Sequence, residues 1–351
     1  MELRVNTHLS LLLVIIGILS PLMAVDAAAT GCDLFQGNWV LDRSYPLYNE
    51  STCPFLEKEF NCIKNGRPDR LYLKYRWLPR GCRLSRFDGR YFLEKLRGKT
   101  IMFVGDSLSR NQWLSMLCMI HSSVPTTNYA VNISVIKDMT TYTFKDYGLK
   151  VTYHHNLYLV DIVKRRFGRV LNLNTVTAGK LWLDVDYLIF NTWHWWNRRG
   201  ASQPFDYIQD GTRIYKDMDR LVAFGKAIVT WGQWVDANVV QNKTKVFFQG
   251  ISPSHYNGTD WGNPKAKSCY GQKIPVLTSV YPGAALPPVA VLKKSLKTIK
   301  KPVTLLDITN LSLLRKDGHP SVYGFGATDC SHWCLAGVPD TWNILLYNLM
   351  F

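Results

Sequence analysis

The chain has 351 residues, of which 47% are hydrophobic and 19% are charged, and its formal net charge is +16 at pH 7. This composition is typical of a globular protein with a sizeable core and excludes a disordered or low-complexity chain. The positive charge favours an anionic partner, although it also fits general solubility. Outside the first 29 residues no apolar stretch is long enough to span a membrane.

Residues 1–29 have the pattern of a secretory targeting segment. Arg4 precedes an apolar stretch over residues 9–25, and the small residues of 27–29 suit a signal-peptidase site. A stretch of about 17 residues is also at the lower limit of a spanning helix, so a cleaved signal peptide and a retained signal anchor both fit. Either places the rest of the chain in the secretory pathway, where nucleic acid is not an expected partner.

The cysteines agree with that compartment. The chain has 8 cysteines and no CxxC pair, which predicts four disulfides rather than a metal or redox site. Their spacing leaves the pairing open. Sequons for N-glycosylation occur at Asn49, Asn132, Asn242, Asn257 and Asn310.

Residues 30–98 are rich in cysteine and turn residues, and we expect them to pack directly on a domain of residues 99–351. Residues 100–104 are apolar and β-branched, which predicts a buried strand, and helical spacing begins at Leu108. The later elements are predicted as a hairpin over 142–163, a strand over 182–190, a helix over 214–239, a strand over 245–250, a short helix bearing Lys293, Lys294, Lys297, Lys300 and Lys301, a strand over 303–308 and a helix over 339–351. Strands that alternate with helices predict an α/β sandwich with a mainly parallel sheet.

Two short motifs could carry chemistry. Gly105-Asp106-Ser107 follows the first predicted strand, where Ser107 could be a nucleophile at a helix N-terminus or simply part of a helix cap. Near the C-terminus, Asp329 and His332 are three residues apart, so the aspartate could orient the histidine while the histidine takes a proton from the serine. Each motif alone is weak.

Together and in this order, the motifs resemble the SGNH/GDSL-type esterase superfamily, in which an asparagine in the middle of the chain helps to form the oxyanion hole. Asn191, at the end of a predicted strand in FNTWHWW, is the candidate for that role, although it could also be a turn residue. The resemblance implies a three-layer sandwich with a mainly parallel central sheet.

A longer set of motifs, including GCDLFQGNWV, CPFLEKEFNCIKNGRPD, GDSLSRNQW, DGHPSVYG and DCSHWCLAGVPDTWN, resembles the plant trichome birefringence-like family over residues 31–351. That family implies O-acetylation of cell-wall polysaccharides such as xylan or pectin through an acetyl-serine on Ser107. It further implies supporting roles for Arg110 and Asn111 beside the serine. The implied disulfides are Cys32–Cys82, Cys53–Cys118, Cys62–Cys334 and Cys269–Cys330.

The resemblance also sets expectations for partners and location. We expect a monomer of the Golgi lumen, or one secreted to the wall, whose acceptor is a plant cell-wall polysaccharide that could be anionic. Acetyl-CoA is the expected donor, although no phosphate-binding glycine loop is visible, and neither a bound cofactor nor a metal is predicted. His194, Trp195 and Trp196 could line an acceptor groove or belong to the core. His319 is interpreted as structural, and the lysine-bearing helix as a solvated face or a contact for anionic polymer.

Three functions remain open from the sequence: a polysaccharide O-acetyltransferase, an acetylesterase acting on pectin, and a wall protein that binds or bridges pectin without catalysis. The first two need the same three side chains and differ in whether sugar or water attacks the acyl-serine.

Overall fold

The computed structural model describes residues 32–324 and 326–351, so the targeting segment predicted for residues 1–29 lies outside the described residues. The strands are β1 (Asp33–Leu41), β2 (Tyr75–Arg80), β3 (Thr100–Gly105), β4 (Tyr129–Ser134), β5 (Met139–Phe144), β6 (Leu149–His155), β7 (Asp161–Arg165), β8 (Gly168–Asn172), β9 (Tyr187–Phe190), β10 (Tyr207–Asp210), β11 (Arg213–Tyr215), β12 (Lys245–Gln249) and β13 (Val303–Leu306). The helices are α1 (Gly89–Lys95), α2 (Ser107–Ser123), α3 (Arg220–Asn238), α4 (Pro287–Leu296), α5 (Thr309–Leu313) and α6 (Val338–Met350). Within the described ranges, none of the helices combines the length and the hydropathy that crossing a bilayer requires.

A seven-stranded sheet forms the centre, in the order β13-β12-β9-β3-β6-β5-β4. The five strands from β13 to β6 are parallel, while β5 and β4 pair antiparallel at one edge. The predicted mixed α/β class with a mainly parallel sheet is therefore confirmed. Because the parallel strands share one direction, the residues that follow β12, β9, β3 and β6 meet at the same edge of the sheet.

Side chains of β3 alternate between two cores, one on each face of the sheet. Ile101 and Phe103 pack in the core that contains α1, α2 and α6. Met102 and Val104 pack in the core that contains α3 and Leu292 of α4. Because a strand that is buried on both faces reads as a continuous apolar run, residues 100–104 show no polar alternation in the sequence. The sheet and the two helical layers form the expected three-layer sandwich.

The cysteine-rich region folds around the antiparallel pair β1–β2 and packs on the sandwich. Trp39 donates its indole N–H to the carbonyl of Leu311 at 2.7 Å, and the buried guanidinium of Arg315 lies 4.3 Å from the Trp39 ring. The structure contains the four disulfides that the resemblance implies, Cys32–Cys82, Cys53–Cys118, Cys62–Cys334 and Cys269–Cys330. Two of these disulfides tie residues 53 and 62 to the sandwich.

Several predicted boundaries differ from the structure. The hairpin predicted over 142–163 ends at His155, because β7 instead joins β8, β10 and β11 in a second sheet. The strand predicted over 182–190 is limited to β9. The helix predicted over 214–239 begins at Arg220, because the Asp219 carboxylate caps it by accepting the Val222 N–H at 2.9 Å. The predicted lysine-bearing helix ends at Leu296, so its last three lysines lie beyond it.

Gly105 marks the closest approach between β3 and the residue that follows β9. A Cβ atom at this position would clash with the carbonyl oxygen of Asn191 and with the Ser109 hydroxyl. We expect Gly105→Ala to lower the free energy of unfolding by about 1–3 kcal/mol, because backbone on one side cannot move away. Urea denaturation followed by circular dichroism measures the change.

Gly225→Ala is the matched control, because its Cβ would meet side chains and no backbone, Val291 Cγ1 at 3.1 Å and Ser295 Oγ at 3.9 Å. Alanine in the interior of α3 should leave the free energy of unfolding unchanged or raised by up to about 1 kcal/mol. Equal stability of the Gly105→Ala and wild-type proteins would contradict the close approach.

Candidate active site

Ser107 is the first residue of α2, and a single residue, Asp106, separates it from the carboxyl end of β3. The cap of this helix is Asp106, whose carboxylate accepts the Leu108 N–H at 2.9 Å. Asp106 thus fills the capping role that the sequence left open, and the Ser107 hydroxyl remains available for another partner. At a helix N-terminus, backbone N–H groups and the helix dipole favour negative charge.

The Ser107 hydroxyl, the His332 ring and the Asp329 carboxylate form one chain of hydrogen bonds. His332 Nε2 lies 2.7 Å from Ser107 Oγ, and His332 Nδ1 lies 2.7 Å from Asp329 Oδ2. The other carboxylate oxygen of Asp329 accepts the backbone N–H groups of Ser331 and His332 at 2.9 and 3.0 Å. Residues that are 225 positions apart in sequence are therefore brought together in the order that a serine nucleophile, a base and an orienting acid require.

The electrostatics of the three groups support proton transfer. Burial lowers the pKa of His332, but the hydrogen bond and the negative charge of Asp329 outweigh burial and hold that pKa above its ordinary value. Burial raises the pKa of Asp329, yet the hydrogen bonds and charge of His332 keep it well below its usual range. Asp329 is therefore ionised at neutral pH and stabilises a positive charge on His332.

Asn111 fixes the loop that carries His332 to the helix that carries Ser107. Its Oδ1 accepts the Trp333 N–H at 2.8 Å, and its Nδ2 donates to the Trp333 carbonyl at 3.1 Å. The Cys62–Cys334 and Cys269–Cys330 disulfides hold the same loop on both sides of His332. The supporting role expected for Asn111 thus corresponds to a specific contact, one turn along α2 from Ser107.

Arg110, next to Asn111 in α2, contacts the cysteine-rich region. Its guanidinium forms ion pairs with Glu57 and Glu59. The Phe60 ring lies 5.7 Å from the His332 ring, and the Phe60 carbonyl accepts the Leu335 N–H at 3.0 Å. Residues 57–60 therefore form part of the wall around the site, a contribution that the sequence did not indicate.

Two further histidines lie beneath the loop. The Trp333 ring stacks on His319 with centroids 4.0 Å apart, and His319 Nδ1 donates to the carbonyl of His332 at 2.6 Å. His319 Nε2 lies 2.6 Å from His255 Nδ1, and His255 Nε2 lies 2.8 Å from the Leu313 carbonyl. Sequence reasoning identified His319 as structural, which agrees with this placement, but missed His255.

The proton count of this pair is unusual. Three hydrogen bonds between two carbonyl oxygens require three protons on the four ring nitrogens of His255 and His319, whereas two neutral imidazoles carry two. Burial opposes the extra proton: it lowers the pKa of His255 to about 4 and is the main cause that holds the pKa of His319 well below its ordinary value. The full chain of hydrogen bonds forms only when the pair carries one positive charge.

Asn191 follows β9 at the same sheet edge, next to Gly105. It is buried, and its Oδ1 has no hydrogen-bond partner among residues 32–324 and 326–351. The carbonyl of Asn191 approaches Gly105, and its backbone N–H donates to the Val104 carbonyl at 2.9 Å. The backbone of Asn191 thus lies beside Gly105, two residues before Ser107, and the oxyanion role of its side chain stays a prediction.

The three residues proposed for an acceptor groove have different positions. His194 Nε2 donates to the Ser252 carbonyl at 2.8 Å, and burial lowers the pKa of His194. Trp195 is half-buried beneath Arg198. Trp196 is fully buried against Tyr158 and Phe224, so it belongs to the core and is closed to a sugar ring.

A cavity of about 440 Å³ opens beside Ser107 on the β6 side of the sheet. Aromatic side chains and polar groups share its lining, which includes Phe55, Tyr142, Tyr153, Glu57, Asp138 and His155. His155 Nδ1 lies 2.7 Å from the Asp138 carboxylate. Sequence reasoning missed these residues, because they come from the cysteine-rich region and from residues 138–155, which only the fold brings next to the serine.

The predicted glycosylation sites differ in accessibility. Asn49, Asn132, Asn242 and Asn257 are exposed. Asn310 is half-buried, and its Nδ2 donates to the Ser279 carbonyl at 3.1 Å, so a glycan at Asn310 would displace this hydrogen bond. In the described part of the chain, no group of three or more His, Cys, Asp or Glu side chains is arranged to hold a metal ion.

Comparisons with known proteins agree with this geometry. Residues 84–349 match the GDSL/SGNH-like acyl-esterase family found in Pmr5 and Cas1p, and residues 30–83 match the PMR5 N-terminal domain. The chain therefore belongs to the GDSL/SGNH-like acyl-esterase class of proteins.

Within that class, the chain belongs to the trichome birefringence-like family. It is 59% identical to protein trichome birefringence-like 41 of Arabidopsis thaliana over 97% of this chain and 95% of that protein. It is 55% identical to protein trichome birefringence-like 38 of the same plant, over 91% of this chain and 84% of that protein. The plant relatives and the four disulfides are consistent with a protein of the secretory pathway.

The raised pKa of His332 predicts how the rate of acyl transfer depends on pH. Because the base must be neutral and its pKa lies above the ordinary value of 6.5, acyl transfer from an ester should fall as pH drops and should already decline above pH 6.5. Asp329→Asn should shift this acid limb to lower pH, because it removes the main cause that raises the pKa. It should also lower kcat by roughly 10³–10⁴-fold. Rates of p-nitrophenyl acetate turnover from pH 5 to 9 test both effects, and an unshifted limb in Asp329→Asn would contradict the assignment.

His319→Phe tests the support beneath the loop. Phenylalanine keeps a ring against Trp333 but removes the hydrogen bond to the His332 carbonyl. We expect kcat to fall by about 10- to 100-fold, because small displacements of a catalytic group are costly, and the free energy of unfolding to fall by about 1–3 kcal/mol. His121→Phe, in the last turn of α2, is the control and should change neither. A wild-type kcat for His319→Phe would show that the loop is held without this histidine.

Proposed function

We propose that the protein transfers acetyl groups to hydroxyl groups of a plant cell-wall polysaccharide through an acetyl-serine intermediate on Ser107. The observation that carries this proposal is the hydrogen-bonded chain from Ser107 through His332 to Asp329, with both links 2.7 Å long. Membership of the acyl-esterase class supports acyl transfer as the chemistry. The acceptor, the donor and the location in the Golgi lumen or the wall are parts of the proposal.

In the first half-reaction, Ser107 Oγ attacks the carbonyl carbon of the acetyl donor while its proton moves to His332 Nε2. The negative charge that develops on the carbonyl oxygen meets backbone N–H groups at the start of α2 and the Asn191 amide. The bond from the carbonyl carbon to the leaving group then breaks, and the leaving group takes the proton from His332. Asp329 stays ionised throughout and stabilises the protonated ring.

In the second half-reaction, a sugar hydroxyl gives its proton to His332 and attacks the acetyl carbon. The bond between that carbon and Ser107 Oγ breaks, and Ser107 recovers the proton from His332. If water attacks instead, the product is acetate and the enzyme acts as an esterase. The aromatic and polar lining of the cavity beside Ser107 supports a sugar as the second reactant, since aromatic rings stack on sugar rings.

A partition experiment tests the proposal. Purified protein receives p-nitrophenyl acetate or acetyl-CoA, with or without xylan or pectin oligosaccharides, and mass spectrometry detects acetylated sugar while a coupled assay detects free acetate. We expect acetylated oligosaccharide from the wild type and none from Ser107→Ala. Acetate release that is the same with and without sugar would favour the esterase. Binding of oligosaccharide by wild type and Ser107→Ala alike, with no acetyl transfer or release by either, would favour a non-catalytic wall protein.

A further inference from the structure

A second cavity of about 430 Å³ lies at the same sheet edge, on the side of β9 and β12. Trp193 and His194, which follow β9, form one wall, and Ile251 and Ser252, which follow β12, form another. Asn197 and Arg199 extend the first wall, Pro253 and Ser254 extend the second, and the remaining lining comes from the N-terminal ends of α3 and α4. The positive ends of the two helix dipoles favour an anion there, although α4 begins with Pro287 and Pro288, which have no N–H to donate.

Arg220 is the strongest indication of what the cavity binds. It lines the cavity although only 4% of its surface is exposed. Its Nη2 donates to the Gln203 side chain and to Asp217, both at 2.8 Å, while its Nε and Nη1 have no partner anywhere in the described ranges. A buried guanidinium with two unused donors is costly, and an oxyanion is the ligand that would satisfy such donors.

Arg199 adds a second positive charge to the lining. Among the described residues, its guanidinium donates to two backbone carbonyls, those of Trp196 and Arg198, both at 3.1 Å. The one carboxylate in the lining, Asp219, already accepts the Val222 N–H at the cap of α3. Counting Asp217, which is ion-paired with Arg220, two carboxylates offset the charge of the two arginines, and the positive ends of the two helices leave the cavity favourable to an anion.

The cavity is connected to the Ser107 site through short contacts. His194 Nε2 lies 2.8 Å from the Ser252 carbonyl, and the Ser252 hydroxyl accepts the Trp333 indole N–H at 2.9 Å, one residue from His332. The charges of Asp106, His332 and Asp329 all act on the pKa of His194, which places this ring beside the hydrogen-bonded chain. Ser107 thus lies between two cavities of similar volume, one rich in aromatic rings and one bearing arginines.

We propose that the arginine-lined cavity binds the phosphate groups of the acetyl donor, a coenzyme A thioester, while the aromatic cavity is left for the sugar. This inference rests on the proposed transferase function and names the donor class that it uses. Guanidinium groups match phosphate geometry with paired hydrogen bonds, and helix N-termini are common phosphate sites. The long pantetheine arm separates the thioester from the phosphates, so the phosphate site need not touch Ser107. No glycine loop is then required.

Binding is measured by isothermal titration calorimetry with coenzyme A, in a Ser107→Ala background where no acyl transfer occurs. We expect Arg220→Gln and Arg199→Gln each to weaken the Kd for coenzyme A by about tenfold or more, because each removes charge-assisted hydrogen bonds. Arg90→Gln, on the exposed surface of α1, is the matched control for loss of one charge and should leave the Kd unchanged. Arg199 is exposed, so its replacement gives an answer even if Arg220→Gln fails to fold.

Two outcomes would overturn the inference. One is wild-type affinity for coenzyme A in Arg199→Gln, together with Arg220→Gln if that variant folds. The other is binding of trigalacturonate but not of coenzyme A, with weaker binding of trigalacturonate by both arginine variants. That result would assign the cavity to a uronate of the acceptor. Turnover of p-nitrophenyl acetate by the otherwise wild-type enzyme is measured in parallel. This neutral ester needs no phosphate site. A lack of turnover would therefore count against the proposed function and not against the anion site.

Discussion

The two hydrogen bonds between the Asn111 side chain and the Trp333 backbone join parts of the chain that are 222 residues apart. One end of this contact is helix α2, which begins with Ser107, and the other is the loop that carries His332. Two disulfides, the His319 ring and the Phe60 carbonyl hold the same loop. The 2.7 Å contact between the serine and the histidine exists because both partners are fixed to the same helix.

The cysteine-rich region therefore forms part of the site. Glu57 and Glu59 pair with Arg110, and Phe55 lines the cavity beside Ser107. The sandwich supplies the serine, the histidine and the aspartate, while residues 53–62 supply one wall and two of the disulfide anchors. The serine lies between an aromatic cavity and an arginine-lined one at the same edge of the sheet, and these are the places that we propose for the sugar and for the phosphate-bearing donor.

The sequence was most informative where local signals and burial agree. The apolar run before Gly105 and the helical spacing after it predicted β3 and α2. The order of the two short motifs predicted that Ser107, Asp329 and His332 act together. It could not show that β7 leaves the central sheet, because strand pairing is a long-range property that a half-exposed strand does not encode. It also missed His255, Tyr142 and Arg220, since their roles arise only from what the fold places beside them. For Trp196 the sequence left a groove and the core as alternatives, and packing puts it in the core.

The central claim is that Ser107 is a nucleophile activated by His332, and covalent labelling tests it most directly. The folded protein is treated with a fluorophosphonate probe, and the labelled peptide is identified by mass spectrometry. The account predicts a single modification, on Ser107, that is lost in Ser107→Ala and strongly reduced in His332→Ala although both variants stay folded. A wild-type protein that takes no label, or a His332→Ala variant that reacts as fast as the wild type, would contradict it.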